Sequence, residues 1–226
     1  MLFSLIKYDT MFQIRQGFYL IYAILTAIYL LILFYLPHSV RMEVTAYLIL
    51  SDTSVMGLLF VGALVLLEKQ QNVLQSLFVT PLKLDNYLWS KSLSLTLIAL
   101  VVSSAIGFLP GGMLGNWLAT LIAVALSSLF FTFVGLGISA RVNTLNQYLA
   151  GILLGGLVMV APIALFFFSP ILSLVFPINA AIDLLILTPE VQTPKGIVAD
   201  TAVLVCWNIL AFIYARSQFM KHVICK

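Results

Sequence analysis

The sequence predicts an all-α integral membrane protein with six transmembrane helices. The chain of 226 residues is 62% hydrophobic, only 8% of its residues are charged, and its mean hydropathy is +1.14. Soluble domains carry about 25% charged residues. A chain this apolar cannot cover its surface with polar groups, so its apolar runs are expected to lie in lipid.

Each predicted span has about 20 residues, which is enough to cross a hydrocarbon core about 30 Å thick. The spans lack the period-2 alternation that is typical of barrel strands in outer membranes. They are predicted at residues 18–36, 46–67, 88–109, 116–140, 146–168 and 198–216.

The basic residues orient the predicted bundle. If both termini lie on one side, nine of the 11 Lys and Arg residues lie there, and only Arg41 and Lys195 lie opposite. The positive-inside rule therefore predicts cytoplasmic termini. The net charge of +3 reflects this topology, since the sequence lacks the clustered basic residues of a nucleic-acid surface.

Two segments outside the spans are predicted to have structure of their own. Residues 1–16 are expected to form an interfacial helix that keeps Lys7, Gln13 and Arg15 in water, with plain basic flanking of the first span as the alternative. Residues 169–200 form a long, proline-containing outer segment. Its apolar stretch at 180–187 is too short to cross the bilayer, so a re-entrant or interfacial helix is predicted.

Four residues in or near the spans are candidates for special roles. Asp52 and Asp183 are acids near the predicted outer side, where an acid within a span is a functional candidate by default. Asp52 could instead sit at headgroup depth, bonded to its Ser and Thr neighbours. Gly151 and Gly155 lie four positions apart and predict close helix packing, with dimer formation as one use.

The sequence lacks the common motifs of catalysis and nucleotide binding. It contains no Gly-x-x-x-x-Gly-Lys-Ser/Thr loop, no His-Glu-x-x-His and no Gly-x-Ser-x-Gly. Cys206 and Cys225 are expected to be free thiols. No catalytic residue, metal site or cofactor is therefore predicted, and the chain is not expected to be an enzyme.

The most polar interruption in the chain runs from Glu68 to Pro81, between the second and third spans. Pro81 is expected to end any helix there, because proline lacks the backbone N–H. A short amphipathic helix on the cytoplasmic side is predicted, which either lies in the interface or docks onto a cytoplasmic partner. Its apolar face comprises Val73, Leu74, Leu77 and Phe78, and its polar face comprises Asn72, Gln75 and Ser76.

This segment resembles the signature of type-2 ABC transporter permeases, which runs roughly Glu-Arg-x-x-Gly-Thr-Leu-Glu-x-Leu-x-x-Thr-Pro. The matching residues are Glu68, Leu74, Leu77, Thr80 and Pro81, and Lys69 matches in charge. The sequence departs from the signature at Asn72, Val73 and Gln75. The six spans, the inner termini and the long outer segment resemble the same family, so the whole chain, residues 1–226, is interpreted as one permease domain.

The resemblance implies a permease dimer in the cytoplasmic (inner) membrane of a bacterium or archaeon. The dimer would work with a separate ATPase subunit, which would bind the ATP and magnesium. Residues 68–81 would form the coupling helix to that ATPase. The implied coupling residues are Glu68, Lys69, Val73, Leu74, Leu77, Phe78, Thr80 and Pro81.

The expected function is export of an amphiphilic substrate, such as a drug, a peptide or a lipid-like molecule, by a protein surrounded by membrane lipid. Two alternatives stay open. One is a permease for haem export or cytochrome maturation, and the other is a non-transporting immunity or scaffold protein that binds a partner through the same loop.

Overall fold

The computed structural model describes residues 2–74, 83–108, 117–154, 176–186 and 194–224. These residues are helical except for short turns between helices, which confirms the predicted all-α membrane class. The helices are α1 (Leu2–Arg15), α2 (Phe18–Tyr35), α3 (His38–Val55), α4 (Val61–Gln70), α5 (Leu84–Phe108), α6 (Trp117–Arg141), α7 (Leu145–Leu154), α8 (Pro177–Ile186) and α9 (Pro194–Phe219). A π-helical turn, Met56–Phe60, joins α3 to α4, and a second, Met220–Ile224, follows α9.

Within the described ranges, 5 helical stretches are long and apolar enough to cross a membrane. They correspond to the first, second, third, fourth and sixth predicted spans. Helix α7 begins at Leu145, close to the predicted start of the fifth span. The rest of that span, after residue 154, lies outside the described residues.

The second span is longer than the sequence pattern predicted. Its helix begins at His38, eight positions before the expected start, and continues through the π-turn to Gln70. Pro37 accounts for the early start: its carbonyl accepts the first turn's bond from the Val40 N–H at 3.3 Å. Arg41 then donates from Nη2 to the Leu36 carbonyl at 2.8 Å, so the carbonyl of the residue that follows α2 has a hydrogen-bond donor. The hydropathy pattern missed this start because the first two turns contain polar and charged residues, including Arg41 and Glu43.

Helix α6 lies at the centre of the bundle and contacts α3, α4, α5, α8 and α9. Its buried Ser and Thr side chains bond to their own helix: Ser127 donates to the Ala123 carbonyl at 2.6 Å, and Thr132 donates to the Ser128 carbonyl at 2.7 Å. Backbone acceptors on the same helix therefore satisfy these hydroxyls within an otherwise apolar core.

Backbones approach very closely around the π-turn. A Cβ atom on Gly62 would lie 1.9 Å from the Tyr148 ring, and one on Gly57 would lie 2.5 Å from Phe131 Cβ. The Tyr148 hydroxyl donates to the Leu58 carbonyl, which lies within the π-turn. A π-turn disturbs the regular helical ladder, and here a tyrosine of α7 supplies a donor to it. Helices α4, α6 and α7 are thereby held together at one level.

The N-terminal helix α1 packs against α5 and is joined to α2 through Gly17, whose φ of 77° lies in the left-handed region. The expectation that Gln13 stays in water is wrong, because its side chain is fully buried against α5. Lys7 and Arg15 are exposed, and the apolar side chains of Phe3 and Tyr8 point outwards. An outward apolar face suits the interfacial position that the sequence predicts, which stays a prediction.

The predicted outer segment, 169–200, contains a helix as expected. Helix α8 covers Pro177–Ile186 and packs against α3, α6 and α9. Helix α9 begins at Pro194, inside the predicted segment, because proline is well suited to the first helical turn. Whether α8 re-enters the bilayer stays a prediction.

Candidate functional site

A buried group of charged and polar side chains joins α1, α4 and α5 at the end of the bundle where α1 lies. The Lys91 ammonium is 2.6 Å from Asp9 Oδ1 and forms a second ion pair with Glu68. The Tyr87 hydroxyl donates to Glu68 Oε2 at 2.7 Å, and the Ser90 hydroxyl donates to Asp9. We refer to Asp9, Glu68, Tyr87, Ser90 and Lys91 as the polar cluster.

Helical spacing explains why these side chains meet. Positions i, i+3, i+4 and i+7 share one face of a helix. On α5 that face carries Tyr87, Ser90, Lys91 and Ser94. On α1, Asp9 and Gln13 are four positions apart and face it, with Gln13 Nε2 donating to Ser94 Oγ at 2.9 Å. Two polar contacts, one helical turn apart, therefore fix α1 on α5.

The cluster is shielded from solvent. The side chain of Lys91 is 1% exposed, that of Glu68 6% and that of Asp9 15%. The ammonium also lies 5.6 Å from the centroid of the Tyr87 ring. Two carboxylates surround one ammonium, and the hydroxyl donors of Tyr87 and Ser90 offset the second negative charge. Removing one partner of such a buried pair costs about 3–5 kcal/mol, because the other charge is left without compensation.

The neighbouring Lys69 points away from the cluster and binds the end of α6. Its ammonium donates to the carbonyls of Ser139 at 2.8 Å, Ala140 at 3.0 Å and Val142 at 2.8 Å. The last carbonyls of a helix lack partners within it and form the negative end of its dipole. Consecutive residues, Glu68 and Lys69, thus connect the end of the second span to both neighbouring spans.

Asn72 follows α4 with a φ of 54°, in the left-handed region. Most side chains disfavour this conformation, but glycine adopts it freely and asparagine tolerates it best among the other residues. The Asn72 N–H donates to the Lys69 carbonyl at 3.2 Å, which helps to end the helix. The departure from glycine in the type-2 permease signature therefore keeps the backbone conformation that the helix end needs.

A groove of about 510 Å³ opens beside the polar cluster. Its walls come from α1, from the start of α5 and from Val73, just after the left-handed turn. Leu74 is buried at 3% exposure. The other four predicted coupling positions, Leu77, Phe78, Thr80 and Pro81, lie outside the described residues. The coupling role of all these residues stays a prediction.

The outer candidates lie far from the polar cluster. Asp52 is on α3, sixteen positions from Glu68, which is about 24 Å along a helix. It is 1% exposed, and its Oδ2 atom accepts no hydrogen bond from the described residues. Asp183 is on the short helix α8, where burial raises the pKa of its carboxyl above the usual range. The early start of α3 places Asp52 fourteen positions inside the helix, deeper than its predicted position near the end of a span.

Gly151 packs within the chain. A Cβ atom there would lie 2.9 Å from Ile138 Cγ2 of α6, so α7 and α6 approach closely at this glycine. Gly155, its predicted companion, lies outside the described residues. A dimer contact at this position stays a prediction.

The sequence pattern does not identify four members of the polar cluster. Lys91 contributes only to the charge count that orients the bundle, and Asp9, Tyr87 and Ser90 have no predicted role. The available signal was the polar stripe of α5, which repeats with helical spacing inside a predicted span. Among the described residues, no group of three or more His, Cys, Asp or Glu side chains could hold a metal ion.

Comparison with known proteins agrees with this architecture. Residues 1–226 match the family model of the Fluoroquinolones export permease protein family. The chain is also 27% identical over 124 residues to proteins described as "Fluoroquinolones export permease protein" from two strains of Mycobacterium tuberculosis, CDC 1551 / Oshkosh and ATCC 25618 / H37Rv. Each alignment covers 55% of this chain and 52% of the relative, so it spans about half the length of each relative. Because the family match extends over the whole chain, the resemblance to type-2 ABC permeases is confirmed, and the protein belongs to the Fluoroquinolones export permease protein family.

Proposed function

We propose that this chain is the transmembrane subunit of an ATP-driven exporter and that a separate ATPase subunit supplies the energy. The polar cluster is the observation that supports the proposal most strongly. It ties α1 and the two helices that flank residues 71–83 into one unit at a single end of the bundle. A subunit that binds this end would act on three helices at once.

Charge supports an orientation with this end in the cytoplasm. Lys7, Arg15 and Lys69 lie here, as do Arg141 and Arg216 at the corresponding ends of α6 and α9. Basic residues near span ends favour the cytoplasmic side. The proposed ATPase would then approach α1 and the groove beside the polar cluster from the cytoplasm.

The cluster suggests how force would pass into the membrane. Lys91 lies in α5 and Glu68 lies near the end of α4, so the ion pair between them holds the two spans in register. Displacement of the segment between them would move both spans together. Paired buried charges resist separation, since each would otherwise be left unpaired. ATP and magnesium would bind to the partner, and this chain would supply the transport path.

The proposed substrate is an amphiphilic drug of the fluoroquinolone kind. The family description and the names of the relatives point to this class. Within the described ranges, the grooves that open between the helices have mainly apolar walls with a few hydroxyls, as in the one between α2 and α5 with Tyr19, Tyr22 and Thr26. Such walls suit a molecule with a large apolar surface. A pair of permease subunits would enclose the path.

Co-purification tests the proposal. The chain, carrying an affinity tag, would be purified from the membranes of its own host in mild detergent, and bound proteins would be identified by mass spectrometry. We expect an ATPase with a Gly-x-x-x-x-Gly-Lys-Ser/Thr loop in equimolar amount, and an ATPase rate that changes when a fluoroquinolone is added. Recovery of a different partner without an ATPase would favour the scaffold or immunity alternative and overturn the proposal.

A further inference from the structure

A second groove, distinct from the polar cluster, runs along the outside of the bundle between α6, α7 and α9. Its volume is about 540 Å³. The apolar wall includes Phe130, Val134, Leu154, Trp207 and Leu210. Leu154 is 68% exposed, its neighbour Leu153 is 69% exposed and Leu210 is 57% exposed, so the groove opens onto the outer surface of the bundle, which would face the membrane.

A cationic side chain, that of Arg141, lies at one end of this groove. Arg141, the last residue of α6, lines it and is exposed. Its Nε donates to Gln218 Oε1 at 2.7 Å, and its guanidinium carbon lies 5.7 Å from the centroid of the Tyr214 ring. These contacts hold the guanidinium in place. The N–H groups of its two terminal nitrogens remain available as donors, because they have no hydrogen-bond partner in the described part of the chain.

The electrostatic surroundings favour an anion at this position. Among the described residues that line the groove, none is acidic. The ammonium of Lys69 lies at the same helix end, bound to the carbonyls of Ala140 and Val142. A guanidinium can form paired hydrogen bonds with two oxygens of a phosphate, and such bonds are stronger than those between neutral groups.

The length of the groove suits a hydrocarbon chain. Phe130 and Arg141 are eleven positions apart on α6, which corresponds to about 16 Å along the helix. At the far end, the rings of Phe130 and Trp207 meet with their centroids 6.1 Å apart. A ligand would therefore place its charged group at Arg141 and an apolar chain along the groove towards Trp207.

We propose that this groove is a binding site for an anionic phospholipid, with the lipid phosphate on Arg141 and one acyl chain along α6 and α9. The cation at the span end matches the lipid headgroup, and the apolar wall matches an acyl chain. The opening to the perimeter gives the lipid access from the bilayer. Basic sites between membrane helices bind anionic headgroups on the same physical grounds. The site does not depend on the substrate that the protein exports.

Fluorescence of Trp207 gives a direct test. A variant with Trp89→Phe and Trp117→Phe leaves Trp207 as the only tryptophan, and it would be reconstituted into bilayers with phosphatidylglycerol or phosphatidylcholine brominated on the acyl chains. We expect half-maximal quenching at a mole fraction about tenfold lower for phosphatidylglycerol, because the quaternary ammonium of phosphatidylcholine offsets its phosphate charge and would lie close to the Arg141 guanidinium. Arg141→Gln should remove this difference. Arg216→Gln is the control, because Arg216 is exposed and pairs with Asp85.

Equal quenching by both lipids in the single-tryptophan variant would overturn the proposal, as would a preference that survives Arg141→Gln. If Arg141→Gln does not fold, Arg141→Lys takes its place. This variant keeps the charge but loses the planar pair of donors, so the preference should fall by about threefold without disappearing. A preference in Arg141→Lys that equals the preference of the parent would also contradict the proposal.

Discussion

Lys91 Nζ lies 2.6 Å from Asp9 Oδ1, and the same ammonium pairs with Glu68 on another helix. One lysine therefore connects the N-terminal helix to the end of the second span from a position inside the third. The pairing gives the chain a rigid junction beside the segment that resembles the type-2 permease signature.

Lys91→Met should destabilise the protein, because it leaves the carboxylates of Asp9 and Glu68 buried without their cation. The expected loss in the free energy of unfolding is about 3–5 kcal/mol. Thermal denaturation of the detergent-solubilised protein measures it. Lys83→Met is the control, since Lys83 is exposed before α5 and should change the Tm little. Equal Tm values for the Lys91 and Lys83 variants would show that the pairs do not stabilise the junction.

Substitutions at Asn72 should follow the cost of a positive φ. Asn72→Gly should leave stability unchanged or raise it slightly, because glycine adopts this conformation freely. Asn72→Val should lower the free energy of unfolding by about 1–2 kcal/mol, because a branched side chain disfavours the left-handed region. The two variants can be compared by denaturation in one detergent. A Gly variant that is less stable than the Val variant would contradict the claim that the positive φ decides stability at this position.

Gly62→Ala should be strongly destabilising, because the added Cβ would lie 1.9 Å from the ring of Tyr148. Tyr148→Phe should cost less, about 1–3 kcal/mol, because it removes only the hydroxyl that bonds to Leu58. In a Tyr148→Ala background, Gly62→Ala should become much milder, since the contacting ring is gone. Melting temperatures of the wild type, Gly62→Ala, Tyr148→Ala and the double variant give the coupling between the two positions. Additive effects would contradict a direct contact between these residues.

Asp52→Asn should keep or raise the Tm. The carboxylate lies in a span, is 1% exposed, and has an oxygen without a donor. An ionised acid near the centre of a span costs about 2.5–3.5 kcal/mol, and an amide of the same shape avoids that charge. Ser51→Ala is a suitable control, because Ser51 is an exposed neighbour on the same helix. A clear fall in the Tm of Asp52→Asn alone would indicate that the charge is required for folding.

Much of the fold follows from hydropathy, but its boundaries depend on local chemistry. The apolar runs predicted the five long helices that the structure describes, because lipid demands about 20 apolar residues for each crossing. The start of α3 at His38 was missed, since Pro37 and Arg41 stabilise a first turn that is not apolar. The π-turn at Met56–Phe60 was also missed, because it depends on the donor from Tyr148, ninety positions away from Leu58.

The candidate site was only partly visible in the sequence. Glu68 was predicted from the resemblance to a family signature, but its partner Lys91 is 23 positions away, and Asp9, the second acid that pairs with Lys91, is 59 positions from Glu68. Such partners become evident only once α1 folds back onto α5. The expectation that Gln13 faces water failed for the same reason, because α1 turns its polar side towards the polar stripe of α5.

The most direct test is the ratio of transport to ATP hydrolysis in vesicles that contain the protein with its proposed ATPase. Glu68→Gln keeps the size of the side chain and an acceptor for Tyr87 but weakens the pairing with Lys91. Asp85→Asn, at an exposed ion pair on the same helix as Lys91, is the matched control. We predict that vesicles with Glu68→Gln continue to hydrolyse ATP through the partner ATPase, while fluoroquinolone transport falls by at least about tenfold. This fall is the equivalent of about 1.4 kcal/mol of lost coupling. Asp85→Asn should behave as the wild type. An unchanged transport-to-hydrolysis ratio in Glu68→Gln would contradict a coupling role for the polar cluster.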